Sequence, residues 1–298
     1  MLSMLGVAIT SLAAFFWALA SIFYRRASIE STNIVLVNLL RIPLALLFLC
    51  FIAFLSGNMR SVIVILGDFN FLFVLIVATP IMNVVGDTLY LLAIRNVGVA
   101  IGYPLSYMYP VFVAIFASII LGERIYVMLV VGVTLSVLGI WLISGGEREN
   151  YHECQKQSFL LGVLAGVGAA LSFSLGIILF RIAVFQVDPI VVAILKLILL
   201  PILAAPLFIF GRSPAKREIS MRVSLIAMLG GVFGLGIGDW LFYVGLASIG
   251  ASLAATITTL SPMVSLILAV FLLGEKVDPR RFIGILLIVV GVLLSVIR

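Results

Sequence analysis

Long apolar runs alternate with short polar connections along the whole chain, and this pattern predicts ten membrane-spanning helices. The runs fall at about 4–24, 34–56, 71–94, 98–121, 125–144, 159–180, 189–210, 223–247, 251–273 and 280–297. Each is close to the ~20 apolar residues a helix needs to cross a bilayer. A membrane β-barrel would instead alternate polar and apolar positions in ~10-residue segments. Only two connections are long and polar: Gly145–Gln157, which divides the chain, and Gly211–Arg222.

The pattern is written twice. A shift of 152 carries Gly86-Asp87 onto Gly238-Asp239, Gly98 onto Gly250, Pro110 onto Pro262, and Gly122-Glu123 onto Gly274-Glu275. Matched Asp, Pro and Glu are informative because they are scarce in so apolar a chain. Gly132 and Gly139 fall on Gly284 and Gly291 at the same shift. The first helices align at 156 and the second at about 155, which places Arg41 on Lys196. The expected organisation is therefore a five-helix half over 1–146, a polar linker over 147–157, and a second five-helix half over 158–298. An odd number of spans per half predicts opposite orientations in the membrane, an inverted repeat. The expected fold class is all-α and polytopic.

Composition agrees with this class. The 298 residues are 64% hydrophobic and 10% charged, with a mean hydropathy of +1.36. That charge content is too low to clothe a soluble domain, which usually carries about 25% charged residues. The net charge of +6 is scattered over short loops and does not predict nucleic-acid binding. By the positive-inside rule it reports orientation. The side bearing both termini has 4 Lys/Arg and the other has 12, which predicts both termini outside. Cys50 and Cys154 form neither a disulfide nor a metal pattern. His152 and Cys154 share a polar loop with no further ligands. The expected location is the cytoplasmic membrane, in multi-pass form.

Ten spans in two halves, the Phe16-Trp17 pair, and a helix ending in Pro-(x)11-Gly-Glu in each half resemble the EamA branch of the drug/metabolite transporter superfamily. The likeness covers essentially the whole chain. It implies a secondary transporter of small metabolites, often an exporter, with cytoplasmic termini, in contrast to the charge count. The Gly-Asp pairs of the third and eighth helices depart from the apolar pattern of that family.

Candidate site residues follow from helical spacing. Tyr103, Ser106, Tyr107 and Pro110 share one face of the fourth span. Ser252, Thr256 and Thr259 do so on the ninth, beside Pro262. Asn83, Asp87 and Tyr90 share a face of the third, and Asp239 and Tyr243 a face of the eighth. Trp17 and Ser174 complete a central pocket on the first and sixth. The expected substrate-binding set is Trp17, Asn83, Tyr90, Tyr103, Tyr107, Ser174, Tyr243, Thr256 and Thr259, with Pro110 and Pro262 as kinks. Hydroxyls on such helices serve equally to join them. Glu123 and Glu275 are read as interfacial charges that stop their helices, and Gly230, Gly234 and Gly238 as a close-approach stripe.

Four ionisable residues inside spans mark function. Arg41 and Asp87 lie about 11 Å from one face by a rise of 1.5 Å per residue, and Lys196 and Asp239 about as far from the other. The expectation is two pseudo-symmetric ion pairs, Arg41–Asp87 and Lys196–Asp239, in coupling or gating roles. No nucleophile–base or metal constellation appears, so an enzyme is not predicted, nor any cofactor or metal. A scaffold or receptor leaves the doubled membrane charges unexplained. The functional expectation is alternating-access transport, with export, of a small polar metabolite such as an amino acid. An anionic metabolite or nucleoside is the alternative. No phosphate-binding loop is present, so a gradient, exchange or downhill flow supplies the energy, with protons as the candidate coupling ion. Expected partners are the substrate and the bilayer, with the chain as monomer or homodimer.

Overall fold

A computed structural model describes residues 4–30, 34–97, 99–144, 156–210, 220–273 and 279–297. Every regular element among them is helical. This is the arrangement a lipid-embedded chain requires, since each backbone N–H and C=O must be satisfied within its own segment. The elements are α1 (Met4–Glu30), α2 (Ile34–Leu55), α3 (Met59–Ile65), α4 (Phe69–Pro80), α5 (Asp87–Val97), α6 (Val99–Ser106), α7 (Tyr109–Leu121) and α8 (Val127–Ser144). The second half contributes α9 (Lys156–Val184), α10 (Pro189–Phe210), α11 (Met221–Gly231), α12 (Asp239–Ile249), α13 (Ala251–Ile257), α14 (Leu260–Leu273) and α15 (Pro279–Val296). Outward faces carry bare apolar side chains such as Phe51, Phe54, Phe73, Ile119 and Leu160, as a surface bathed in hydrocarbon should.

Among the described residues, eight helical stretches are long and apolar enough to cross a membrane. A ninth is added if α2 and α3 count as one, although the chain bends by 111° between them. The bend lies beside Gly57, whose φ of 76° favours a residue without a Cβ. The apolar stretch Pro189–Ala205 of α10 is shorter than a full span. By length and composition, eight or nine of the ten expected spans are found among the described residues, one of them bent.

Four interruptions fall at repeat-related places, in two pairs. A π-helical stretch, Ile81–Gly86, links α4 to α5, and another, Val232–Gly238, links α11 to α12. Each ends at the glycine preceding an aspartate. Only the first follows a proline, Pro80, so proline is not their common cause. The third interruption is a turn that breaks the fourth span between α6 and α7, with its counterpart between α13 and α14. Here the prolines do something other than kink a continuous helix. Pro110 lies in the first turn of α7 and Pro262 is the third residue of α14. In a first turn the N–H that proline lacks has no helical partner to lose.

Glycines set the closest contacts. A Cβ on Gly132 would strike the carbonyl of Gly291, and one on Gly139 the carbonyl of Gly284, with both contacts reciprocated. Rising numbers on α8 therefore meet falling numbers on α15, so the two run antiparallel with backbones in contact. Gly230, Gly234 and Gly238 face Tyr24, Ala20 and Trp17 of α1, and Gly231 abuts the backbone of Arg41 in α2. The close-approach stripe is the seat of α1. The interior is densest around α10, where every residue from Ile190 to Leu197 is buried. Burial all round marks an interior helix.

Candidate functional site

The two aspartates introduced by the π-helical stretches sit in opposite conditions. Asp239 is 7% exposed and fully engaged. Lys196, 2% exposed, donates to its Oδ2 at 2.6 Å, and the Trp17 indole N–H donates to its Oδ1 at 2.9 Å. Asp87 makes no hydrogen bond or ion pair within the described residues, and it is exposed. What exposes it is a pair of internal cavities that it separates.

The first cavity, about 200 Å³, has a wall of Trp17, Tyr90, Tyr107, Tyr109, Phe173 and Phe242, with Met82, Ile177 and Asp87. Asp87 is the one charged residue of that wall. The second, about 180 Å³, has Arg41, Asn83, Asp87 and Thr88 as its polar groups against an apolar wall that includes Leu200 and Ala204 of α10. Arg41 and Asp87 thus face one cavity, yet the expected ion pair between them is not formed. The Arg41 guanidinium lies over the Tyr24 ring, 3.9 Å from its centre. Tyr24 is held in turn by donating to the Gly230 carbonyl at 2.7 Å.

The two broken spans meet at their breaks. Thr258 donates its one hydroxyl proton to the Ala255 carbonyl at 2.7 Å. Tyr109 therefore donates in their 2.6 Å contact, linking α7 to the turn before α14. Ser174 donates to the Ala170 carbonyl at 2.6 Å and also lies 3.0 Å from the Tyr109 carbonyl. A bridge between the halves is thereby built at the cavity wall.

Of the expected substrate-binding residues, Trp17, Asn83, Tyr90 and Tyr107 line these cavities. Tyr103 stands behind the wall, stacked on Tyr107 at 4.2 Å between ring centres and edge-on to Tyr90 at 6.2 Å. Ser174, Tyr243, Thr256 and Thr259 lie outside both walls and are buried in packing. Thr256 donates to the Ser252 carbonyl at 2.8 Å and Thr259 to the Thr256 carbonyl at 2.6 Å, so both hydroxyls are turned back on their own helix. Tyr243 packs on Phe180 with ring centres 5.0 Å apart. The sequence reading missed Tyr109, Phe173 and Phe242, because an aromatic in an apolar run carries no polar spacing to mark it.

A wider depression of about 620 Å³ lies where α7, α9 and α12 end. Its carboxylate, Glu123, follows the left-handed Gly122 that terminates α7, as expected, but does more than stop the helix. It accepts from the Ala251 N–H at 2.7 Å, the Ser252 N–H at 3.0 Å and the Ser252 hydroxyl at 2.7 Å. It thus caps α13 from the other half of the chain, with Arg181 3.9 Å away. Gly250 offers no side chain to cap that N-terminus, and this was the signal that an outside anion was needed. Because this carboxylate is already saturated, the larger depression is the weaker candidate site. Glu275, His152 and Cys154 lie outside the described residues.

The chain resembles known proteins along its whole length. The model of the EamA-like transporter family matches it twice, at 4–145 and 160–297. A protein of Archaeoglobus fulgidus described as an uncharacterized transporter is 23% identical over 98% of both chains. The uncharacterized transporter YwfM of Bacillus subtilis is 26% identical over 69% of this chain and 67% of its own. One solved crystal structure superposes with a TM-score of 0.77 at 18% identity, covering 97% of this chain and 96% of the other, which shows a shared fold.

Proposed function

The chain belongs to the EamA-like transporter family, a multi-pass membrane transporter of the drug/metabolite type, and from that premise we propose that it moves a small polar metabolite, such as an amino acid, by alternating access between two inverted halves. The observation that carries this reading is the central pair of cavities, walled by both halves, with an unpaired carboxylate between them. Substrate sites of inverted-repeat transporters lie near the midplane, where discontinuous helices meet.

The inversion is supported by the α8–α15 crossing. Gly132 touches Gly291, the repeat partner of Gly139, while Gly139 touches Gly284, the repeat partner of Gly132. A two-fold axis in the membrane plane generates this exchange. The ten spans of the proposal are the eight long stretches, α2 with α3, and α10. Outward movement through the cytoplasmic membrane, driven by proton exchange at Asp87, is the form of the cycle we favour.

The test is counterflow in proteoliposomes of the purified chain, offering labelled amino acids one at a time. We expect exchange of a subset, and alkylation of a Tyr107→Cys variant that slows when that subset is present. A Thr259→Cys variant, buried here, should react only during turnover. If no solute exchanges and neither cysteine responds to any solute, the cavities are not a transport path.

A further inference from the structure

Resting on the same cavity as the transport reading, but going further, we infer that the site selects substrates by a positively charged nitrogen, so that an amino or ammonium group held at Asp87 is the obligatory feature. Anions and neutral solutes without such a group are then excluded.

Three observations carry this. First, the carboxylate has lost its protein donors. At a shift of 156 the counterpart of Trp17 is Phe173. Trp17 sits against Gly238 and gives Asp239 an N–H, whereas Phe173 sits against Gly86 and has only C–H to offer Asp87. The second donor of the other half, Lys196, corresponds to Arg41, which lies over Tyr24 and forms no ion pair with Asp87. A carboxylate deep in a span is costly unless paired, and the cavity is where a further partner can reach it.

Second, the wall beside it suits a cation. Trp17, Tyr90, Tyr107, Tyr109, Phe173 and Phe242 present π systems around a space of about 200 Å³, room for one small molecule. Ring faces attract ammonium groups, most strongly when water is excluded. Third, an acceptor beside the carboxylate lacks a donor. Asn83 Oδ1, one turn before Asp87, is buried without a hydrogen-bond partner. Two donors at the wall are already used, the Trp17 N–H by Asp239 and the Tyr109 O–H by Thr258. An ammonium group brings up to three N–H donors to these acceptors.

A matched set of probes decides the matter on the full chain in nanodiscs. Phenethylamine is a cation, phenylalanine a zwitterion, 3-phenylpropionate an anion and 2-phenylethanol neutral, all on the same phenylethyl frame. Binding of labelled phenethylamine by equilibrium dialysis should be displaced by phenylalanine and resisted by the other two. Asp87→Asn should weaken it by at least about tenfold, the scale of a lost charge-assisted contact. Asp87→Glu should keep most of the affinity, and Tyr90→Leu should cost about threefold. Displacement by 3-phenylpropionate or 2-phenylethanol as effective as that by phenylalanine overturns the inference, as does failure of phenethylamine to bind. Undiminished binding to a folded Asp87→Asn protein does the same. The wild-type series stands even if that variant does not fold. Amine binding without any exchange across a membrane would sink the transport reading alone. Exchange of the anion with no amine binding would sink this inference alone.

Discussion

Gly86-Asp87 and Gly238-Asp239 are the same dipeptide at the same place in two copies of one sequence, yet the structure treats them differently. In the second half the carboxylate is enclosed by an ammonium at 2.6 Å and an indole at 2.9 Å, beside a helix buried on every side from Ile190 to Leu197. In the first half it stands open between two cavities. The difference traces to side chains that are not on the aspartate's own helix. Trp17 reaches across from the first half to close the second, and Phe173 reaches back without a donor. Duplication supplied two equivalent carboxylates, and divergence of their opposite neighbours made one a structural post and the other a free acceptor.

The largest break in this comparison should come from the closed side. Lys196→Met strands a buried carboxylate and is expected to cost about 3–5 kcal/mol. Lys196→Met combined with Asp239→Asn should recover most of that loss, because no lone charge remains. Thermal unfolding in detergent, read for the single and double variants, checks both outcomes. A double variant no more stable than Lys196→Met would mean that the pair is not the source of the loss.

An intermediate effect should separate the glycines. A methyl on Gly238 meets the Trp17 ring at 2.5 Å and the Phe233 carbonyl at 3.0 Å, so Gly238→Ala pushes the indole from Asp239. A methyl on Gly86 meets the ring edge of Phe173 at 2.6 Å, where no hydrogen bond is at stake. Gly238→Ala should therefore cost about 1–3 kcal/mol, an overpacking loss, and Gly86→Ala clearly less. Equal unfolding temperatures for the two variants would erase the distinction.

The smallest effect on stability should come from Asp87 itself. With no partner to lose, Asp87→Asn is expected to unfold within about 0.5 kcal/mol of wild type, as substitutions away from structural contacts do. A drop as large as that of Lys196→Met would show that Asp87 is paired in solution.

Much of this was legible in the sequence, and the exceptions have definite causes. The scarce Asp, Pro and Glu of the repeat located both carboxylates and both broken spans. Hydropathy located most helices, but could not show that the second turns by 111° at its end. Helical spacing put Thr256 and Thr259 on a common face without revealing that each hydroxyl bends back to a carbonyl three or four residues earlier. Equal depth in the membrane predicted that Arg41 would meet Asp87. It could not see that the Tyr24 ring competes for the guanidinium. Prolines inside apolar runs suggested kinks, whereas the chain breaks just before them and starts again.

The π-helical stretches before Asp87 and Asp239 make the number of residues there matter as much as their kind. Such a bulge holds one residue more than the α spiral it interrupts. Everything beyond it is therefore turned by about 100° against everything before it. Deleting a single residue between Ile81 and Gly86 would let the spiral close into plain α-helix and leave the outer surface of the bundle recognisable. It would also swing Asp87 about a quarter-turn off the wall between the cavities. A relative one residue shorter at this point is expected to present a different residue to the cavity where this chain presents its acid.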